Sequence, residues 1–202
     1  MAWQGVLGSY AEQVVAPAWQ LLPVPDGVSD EQAAALPVQS LTAHYPATTS
    51  YRIQPGDHVV IHAGEGGVGL LPTQLAKLLV AKVYATVSTG EGEPRVLTRS
   101  SGMPTSIRLF AAALFGQSSG PVPPFDLARL GHSGSLTVTR PTLRDFVGTP
   151  AELLRRSTDL WRWVSDGRLG VRIGRTFRFA EASLAHEVLQ ARRTTGKVLL
   201  LP

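Results

Sequence analysis

Residues 58–87 constrain this chain more than any other stretch. His58-Val59-Val60-Ile61-His62 is a short apolar run without alternation, the pattern of a strand buried on both faces of a parallel sheet. Ala63-Gly64-Glu65-Gly66-Gly67-Val68-Gly69 follows at once. Leu70 to Leu79 then carry apolar residues at helical spacing, with Pro72 in the first turn, where proline is tolerated. Lys82 to Val87 reads as the next strand, completing a strand–helix–strand unit. Glycine allows a tight turn after the strand and removes the Cβ that would keep a pyrophosphate away from the backbone. The helix start offers free N–H groups and the positive end of its dipole. Four glycines in six residues speak against a turn that needs only a positive φ.

The end of the second strand bears on the choice of nucleotide. An acid there would hold a ribose 2′-hydroxyl, whereas Val87-Ser88-Thr89 leaves room for a 2′-phosphate, so NADP is favoured. Glu91 and Glu93 lie close by and count against it. Arg95 supplies a counter-charge if the following loop folds back.

Composition narrows the chemistry. The 202 residues contain no cysteine, which excludes disulfides, thiolate metal sites and a cysteine nucleophile. No apolar run approaches a membrane span and no signal peptide is recognisable, so a cytoplasmic protein is expected. The net charge of +4 comes from 16 Arg and 3 Lys. Between Glu93 and Asp145 only Asp126 is acidic. Such a stretch suits an anion site, but no nucleic-acid motif accompanies it, and solvated arginines are the preferred reading.

Elsewhere the pattern is uneven. Strands are expected within 6–15, at 111–115, at 136–139, over 171–179 and at 198–201. Helices are expected from Ser29 (a capping box with Gln32) to Leu36, over 39–51 with a kink at Pro46, over 150–164 behind the cap Thr149, and over 181–192. Residues 88–108 hold no period of either kind. His44, His58 and His62 are read as structural histidines: His62 ends a strand beside the glycine turn, and His44 sits on a helix without a matching carboxylate.

Leu41-Thr42-Ala43-His44-Tyr45, Gln54-Pro55-Gly56-Asp57 and His62 to Leu71 resemble the zinc-independent, zeta-crystallin-like quinone oxidoreductases of the medium-chain dehydrogenase/reductase family. Phe115-Gly116-Gln117-Ser118-Ser119-Gly120, Thr139-Arg140-Pro141 and Ala191 to Lys197 fit the same family in the same order. The resemblance covers roughly residues 3–89 and 113–202. It implies an α/β fold: an incomplete Rossmann-type, doubly wound parallel sheet plus remnant strands of a GroES-like barrel. The expected division is 1–38 with 170–202 for the barrel remnant and 39–169 for the dinucleotide-binding domain, with a deletion around 90–112. The chain is expected to be truncated at its start and internally deleted.

The implied activity is hydride transfer from NADPH to a quinone or enone without a metal. By family pattern Thr42 and Tyr45 lie near the nicotinamide or the phosphates. Gly66, Gly67, Val68 and Gly69 cradle the pyrophosphate, and Ser88 faces the 2′-phosphate. Phe115 and Gly116 flank the nicotinamide, with Thr139 close to it. No catalytic residue is named, because a reduced quinone oxygen can take its proton from solvent. A homodimer is expected. A nucleotide-binding fragment without turnover is the alternative, and an RNA-binding role ranks last.

Overall fold

The computed structural model describes residues 2–3, 8–64, 69–88, 94–97, 111–115, 123–191 and 194–202. Gly66, Gly67, Val68 and Gly116, among the residues expected at the nucleotide, lie outside them.

Strand β1 (Ala2–Trp3) pairs antiparallel with β2 (Leu21–Leu22). The strands expected within 6–15 do not form among the described residues: 8–17 carry none, and Val15 is 94% exposed. An extended segment with nothing to pair and nothing to cover it has no reason to become a strand. Helix α1 (Asp30–Ala35) opens with the expected capping box, the Gln32 N–H donating to Ser29 Oγ at 3.2 Å. Pro37 ends it and also starts α2 (Pro37–Tyr45) as its first residue, two positions earlier than the apolar spacing suggested. At Pro46 the helix widens into a π-turn over Pro46–Ser50, the form that the expected kink takes.

β3 (His58–Ile61), α3 (Leu70–Leu78) and β4 (Lys82–Ser88) make the strand–helix–strand unit, with β3 and β4 parallel and His58 opposite Lys82. β5 (Pro94–Leu97) then returns antiparallel on the outer edge of β4, placing residue 95 opposite Val87. This hairpin lies inside the stretch without periodicity; four residues are too few to show alternation, and the pairing is decided by the free edge of β4. β6 (Ala111–Ala113) lies parallel to β7 (Thr137–Thr139), with the unexpected short helix α4 (Ala128–His132) between them. Another short helix, α5 (Leu143–Phe146), precedes α6 (Pro150–Ser165), whose cap Thr149 accepts from the Glu152 N–H at 3.3 Å. β8 (Ile173–Arg178), α7 (Ala182–Gln190) and β9 (Lys197–Leu201) close the chain, β8 and β9 running parallel.

The α/β class is as expected, but among the described residues the parallel strands do not form one sheet. β3-β4-β5 and β6-β7 are separate. In a doubly wound sheet of order 3-2-1-4-5-6, strands one and two are joined to five and six only through the fourth. Taking β3 and β4 as the first two and β6 and β7 as the last two, no described strand occupies that middle place.

The core sits where α2, α3 and α6 meet. Leu41, Leu71, Leu75, Leu153, Leu160 and Trp161 are buried together, joined by Leu22 and Leu36 from the first 38 residues. The apolar stripe of α6 supplies most of it, as its helical spacing requires. Val171 packs against the same cluster from beyond residue 169.

Candidate active site

At its two described ends, Gly64 and Gly69, the glycine turn is shaped by space and not by φ. The left-handed residue at the end of β3 is Ala63, with φ 54°, while neither Gly64 nor Gly69 has a positive φ. A Cβ on Gly64 would lie 2.6 Å from Ala85 Cβ on the neighbouring strand. A Cβ on Gly69 would be driven into the Ala63 carbonyl, 2.8 Å from its carbon and 2.9 Å from Gly64 Cα. The turn is therefore closed on itself so tightly that only glycine serves at its two described ends. Thr86 of β4 pins it: its carbonyl accepts from the Gly64 N–H at 2.9 Å, and its hydroxyl oxygen from the Ala63 N–H at 3.3 Å. Gly69 then leads into the first turn of α3, where Thr73 Oγ1 donates to the Gly69 carbonyl at 2.9 Å.

The other expected residues fall at one kind of place. Ser88 is the last residue of β4. Thr139 is the last residue of β7, and Phe115 follows the end of β6 by two positions. Ala113 stands opposite Thr139, and the Leu114 N–H donates to the Thr139 carbonyl at 2.9 Å, so Phe115 leaves β6 at the same end at which Thr139 closes β7. Gly64 and Gly69 lie beyond the end of β3. All five stand at the carboxyl ends of parallel strands, the side on which open α/β sheets bind their ligands.

Helix α2 adds Thr42 and Tyr45, one turn apart. Tyr45 is buried, stacked on Phe146 with ring centroids 4.5 Å apart, and its hydroxyl donates to the Pro141 carbonyl at 3.4 Å, just past β7. Burial pushes the Tyr45 phenol above its ordinary pKa, so the ring stays neutral. The Thr42 hydroxyl donates within the helix to Val38 at 2.6 Å. Arg140 Nη1 donates to the Leu114 carbonyl, fastening the end of β6 to the chain after β7.

His44 is where the sequence reading fails. It has a carboxylate partner, Asp159, on α6: His44 Nε2 and Asp159 Oδ2 are 3.2 Å apart. The other ring nitrogen, Nδ1, lies 3.3 Å from Arg156 Nη1 and 3.1 Å from Thr48 Oγ1. A guanidinium can only donate, so Nδ1 accepts and the proton is assigned to Nε2. Arg156 is itself buried and also donates to the Phe146 carbonyl at 2.9 Å and to Glu152 at 2.9 Å. Burial foremost, and the neighbouring Arg156 and Arg155 charges, hold the His44 pKa below its usual value against the pull of Asp159. A separation of 115 residues hides such a pair from any local pattern. His58 and His62 are engaged by Tyr84 and Thr86, each at 3.2 Å.

A family model described as zinc-binding dehydrogenase matches residues 45–200. A quinone oxidoreductase of Pseudomonas aeruginosa is 34% identical, with 98% of this chain and 73% of that protein aligned. The chain belongs to the quinone oxidoreductases of the medium-chain dehydrogenase/reductase family. The crystal structure of Escherichia coli quinone oxidoreductase complexed with NADPH superimposes with a TM-score of 0.86 at 30% identity, covering 98% of this chain and 73% of that one. A mycobacterial protein complexed with NADPH gives 0.84 at 36% identity, over 96% and 72%. The Pseudomonas alignment runs over 236 positions, more than the 202 residues present here, so that relative carries internal segments with no counterpart in this chain.

Zinc does not suit the described residues. The chain has no cysteine, and among the described residues no group of three or more His, Asp or Glu is placed to hold a metal. A dinucleotide does suit them: glycines stand at both described ends of the turn between β3 and the N-terminus of α3, the place where a pyrophosphate is held in this kind of unit.

Proposed function

We propose that this chain binds NADPH at the carboxyl ends of its parallel strands and transfers hydride to a quinone or enone. One observation carries the reading: Gly64 and Gly69, the two described ends of the turn after β3, are packed so closely that a Cβ on either would collide with backbone or with β4. The turn between them, with Gly66, Gly67 and Val68, would hold the pyrophosphate, and Ser88 would face the 2′-phosphate. Phe115 and Gly116, with Thr139, would line the nicotinamide. Tyr45 acts from behind, its hydroxyl holding the segment after Thr139 in place. When bound, NADPH supplies the hydride. The residues named here orient it and keep water from one face; the reduced oxygen takes its proton from solvent.

The same reading assigns residues 1–38 and 170–202 to a barrel remnant and 39–169 to the dinucleotide-binding domain. The stretch missing relative to family members falls around 90–112. A homodimer and a cytoplasmic location belong to the proposal. Among the described residues no helix is long and apolar enough to cross a membrane. Size-exclusion chromatography with light scattering tests the dimer.

The separation of β3-β4 from β6-β7 favours a second reading, a nucleotide-binding chain without turnover. A thermal melt with NADPH, with NADH beside it, followed by NADPH oxidation with a benzoquinone, separates the two. A ligand at about 100 times its dissociation constant adds roughly 2.7 kcal/mol to the folded state. A transition raised by NADPH together with quinone-dependent oxidation supports the reductase. Stabilisation without oxidation supports the second reading, and a melt indifferent to both nucleotides refutes both.

A further inference from the structure

Lys197, the first residue of β9, is only 6% exposed, and its side chain lines a cavity of about 180 Å³. The other lining residues are Ala34, Ala35, Pro37, Val38, Gln39 and residues 198–199, whose side chains are apolar apart from one amide, with polar backbone beside them. The amine donates to Gln39 Oε1, and among the described residues no carboxylate lies within ion-pair distance of it. Just before β8, the Arg172 carbonyl accepts from the Lys197 backbone N–H at 2.7 Å, and the Arg172 side chain, itself a cation, runs past Gly196. A cation in such a place has lost its water and gained no counter-ion.

We propose that the Lys197 amine is a covalent acceptor for small, uncharged α,β-unsaturated carbonyl compounds that enter this cavity. The class of electrophile rests on the enone reading above; the nucleophile rests on the cavity alone. The nitrogen lone pair attacks the β-carbon and an N–C bond forms. The C=C π pair moves onto the carbonyl oxygen as an enolate, and the proton lost by nitrogen ends on the α-carbon. No oxidant or reductant is consumed. Desolvation brings the amine down to a pKa of about 7, so near neutrality about half of it is uncharged. An ordinary lysine at pKa 10.5 is uncharged in roughly one molecule in three thousand at pH 7. A less basic amine is a weaker nucleophile; with a Brønsted slope near 0.5 the ~1,500-fold gain in neutral amine falls to about 30-fold.

The adduct would have a local consequence. It leaves a secondary amine with a single N–H and places an alkyl group beside Gln39, which precedes Thr42 by one turn of α2, so modification at β9 abuts the helix that carries Thr42 and Tyr45.

The chain suits a direct test, because it has no thiol to compete and only two other lysines, Lys77 and Lys82, both exposed. The folded protein is treated with methyl vinyl ketone, without NADPH, over pH 6 to 10, and adducts are quantified by peptide mass spectrometry. Lys197 is expected to react at least ten-fold faster than Lys77 and Lys82 at pH 7, with a rate that levels off above pH 8 while theirs climbs. In 8 M urea the preference should vanish. Equal rates at the three lysines, parallel pH profiles, or a preference that survives urea would each overturn the proposal. Since no nucleotide is present, a chain that fails to reduce quinones gives the same labelling result.

Discussion

Replacing His44 by alanine tests the network that ties α2 to α6. The imidazole is fully buried and packs 5.7 Å from the Trp163 ring, so its removal opens a cavity between the two helices. Truncating a buried aromatic to alanine costs about 3–5 kcal/mol; the smaller imidazole belongs near the lower end. The hydrogen bonds add less. Asp159 keeps Arg162 at 3.1 Å and is 30% exposed, so water replaces the imidazole there. Arg156 keeps Phe146, Thr49 and Glu152, and loses one partner of several. Each lost bond is worth about 0.5–1 kcal/mol under these conditions. The expected total is about 4 kcal/mol, read by urea unfolding at pH 8. Asp159→Asn should cost only about 1 kcal/mol, because its site is partly solvated. The pH dependence gives an independent signature. His44 has a lowered pKa in the folded state, so the unfolded chain takes up its proton first as pH falls through 6.5. Stability therefore falls below pH 6.5, with a limiting slope of about 1.4 kcal/mol per pH unit for one proton. His44→Ala should remove that component of the slope. A loss under 1 kcal/mol at pH 8, or an unchanged slope between pH 6.5 and 5, would refute the assigned tautomer and the role of the network.

Lys197→Met should stabilise the fold. With a folded pKa of about 7 against 10.5, burial of the charged amine costs roughly 4–5 kcal/mol at pH 7 and below. An unpaired Gln39 oxygen returns about 1–2 kcal/mol of that. The net gain of about 3 kcal/mol should shrink by about 1.4 kcal/mol per pH unit above pH 7, cross zero near pH 9 and become a loss of about 1–2 kcal/mol above about 10.5, where only the unpaired Gln39 oxygen counts, measured by denaturant titration at several pH values. Gly69→Ala should abolish any NADPH-dependent rise in melting temperature and lower the melting temperature itself, since the Cβ meets backbone on the far side of the turn.

The strand–helix–strand unit at 58–88 was legible because its signals are local: an apolar run, a cluster of glycines, a 3.6-residue period. The capping box at Ser29, the cap at Thr149 and the disturbance at Pro46 were legible for the same reason. Each is a contact between residues at most four apart. The resemblance of several separated segments to one family also fixed the order of the site residues along the chain.

Tertiary structure alone decided the rest. β5 exists because the edge of β4 was available, and nothing in Pro94 to Leu97 announces it. Among the described residues of the turn the left-handed one is Ala63, while Gly64 and Gly69 stand where there is no room for a Cβ. His44 found Asp159 across 115 residues, and Lys197 found Gln39 across 158, in environments that exist only after α2 has packed against α6 and β9. A sequence specifies which residues can turn, cap or pack, because those preferences act over a few bonds. Which buried nitrogen loses its water, and which partner it receives in exchange, depends on surfaces brought together from distant parts of the chain.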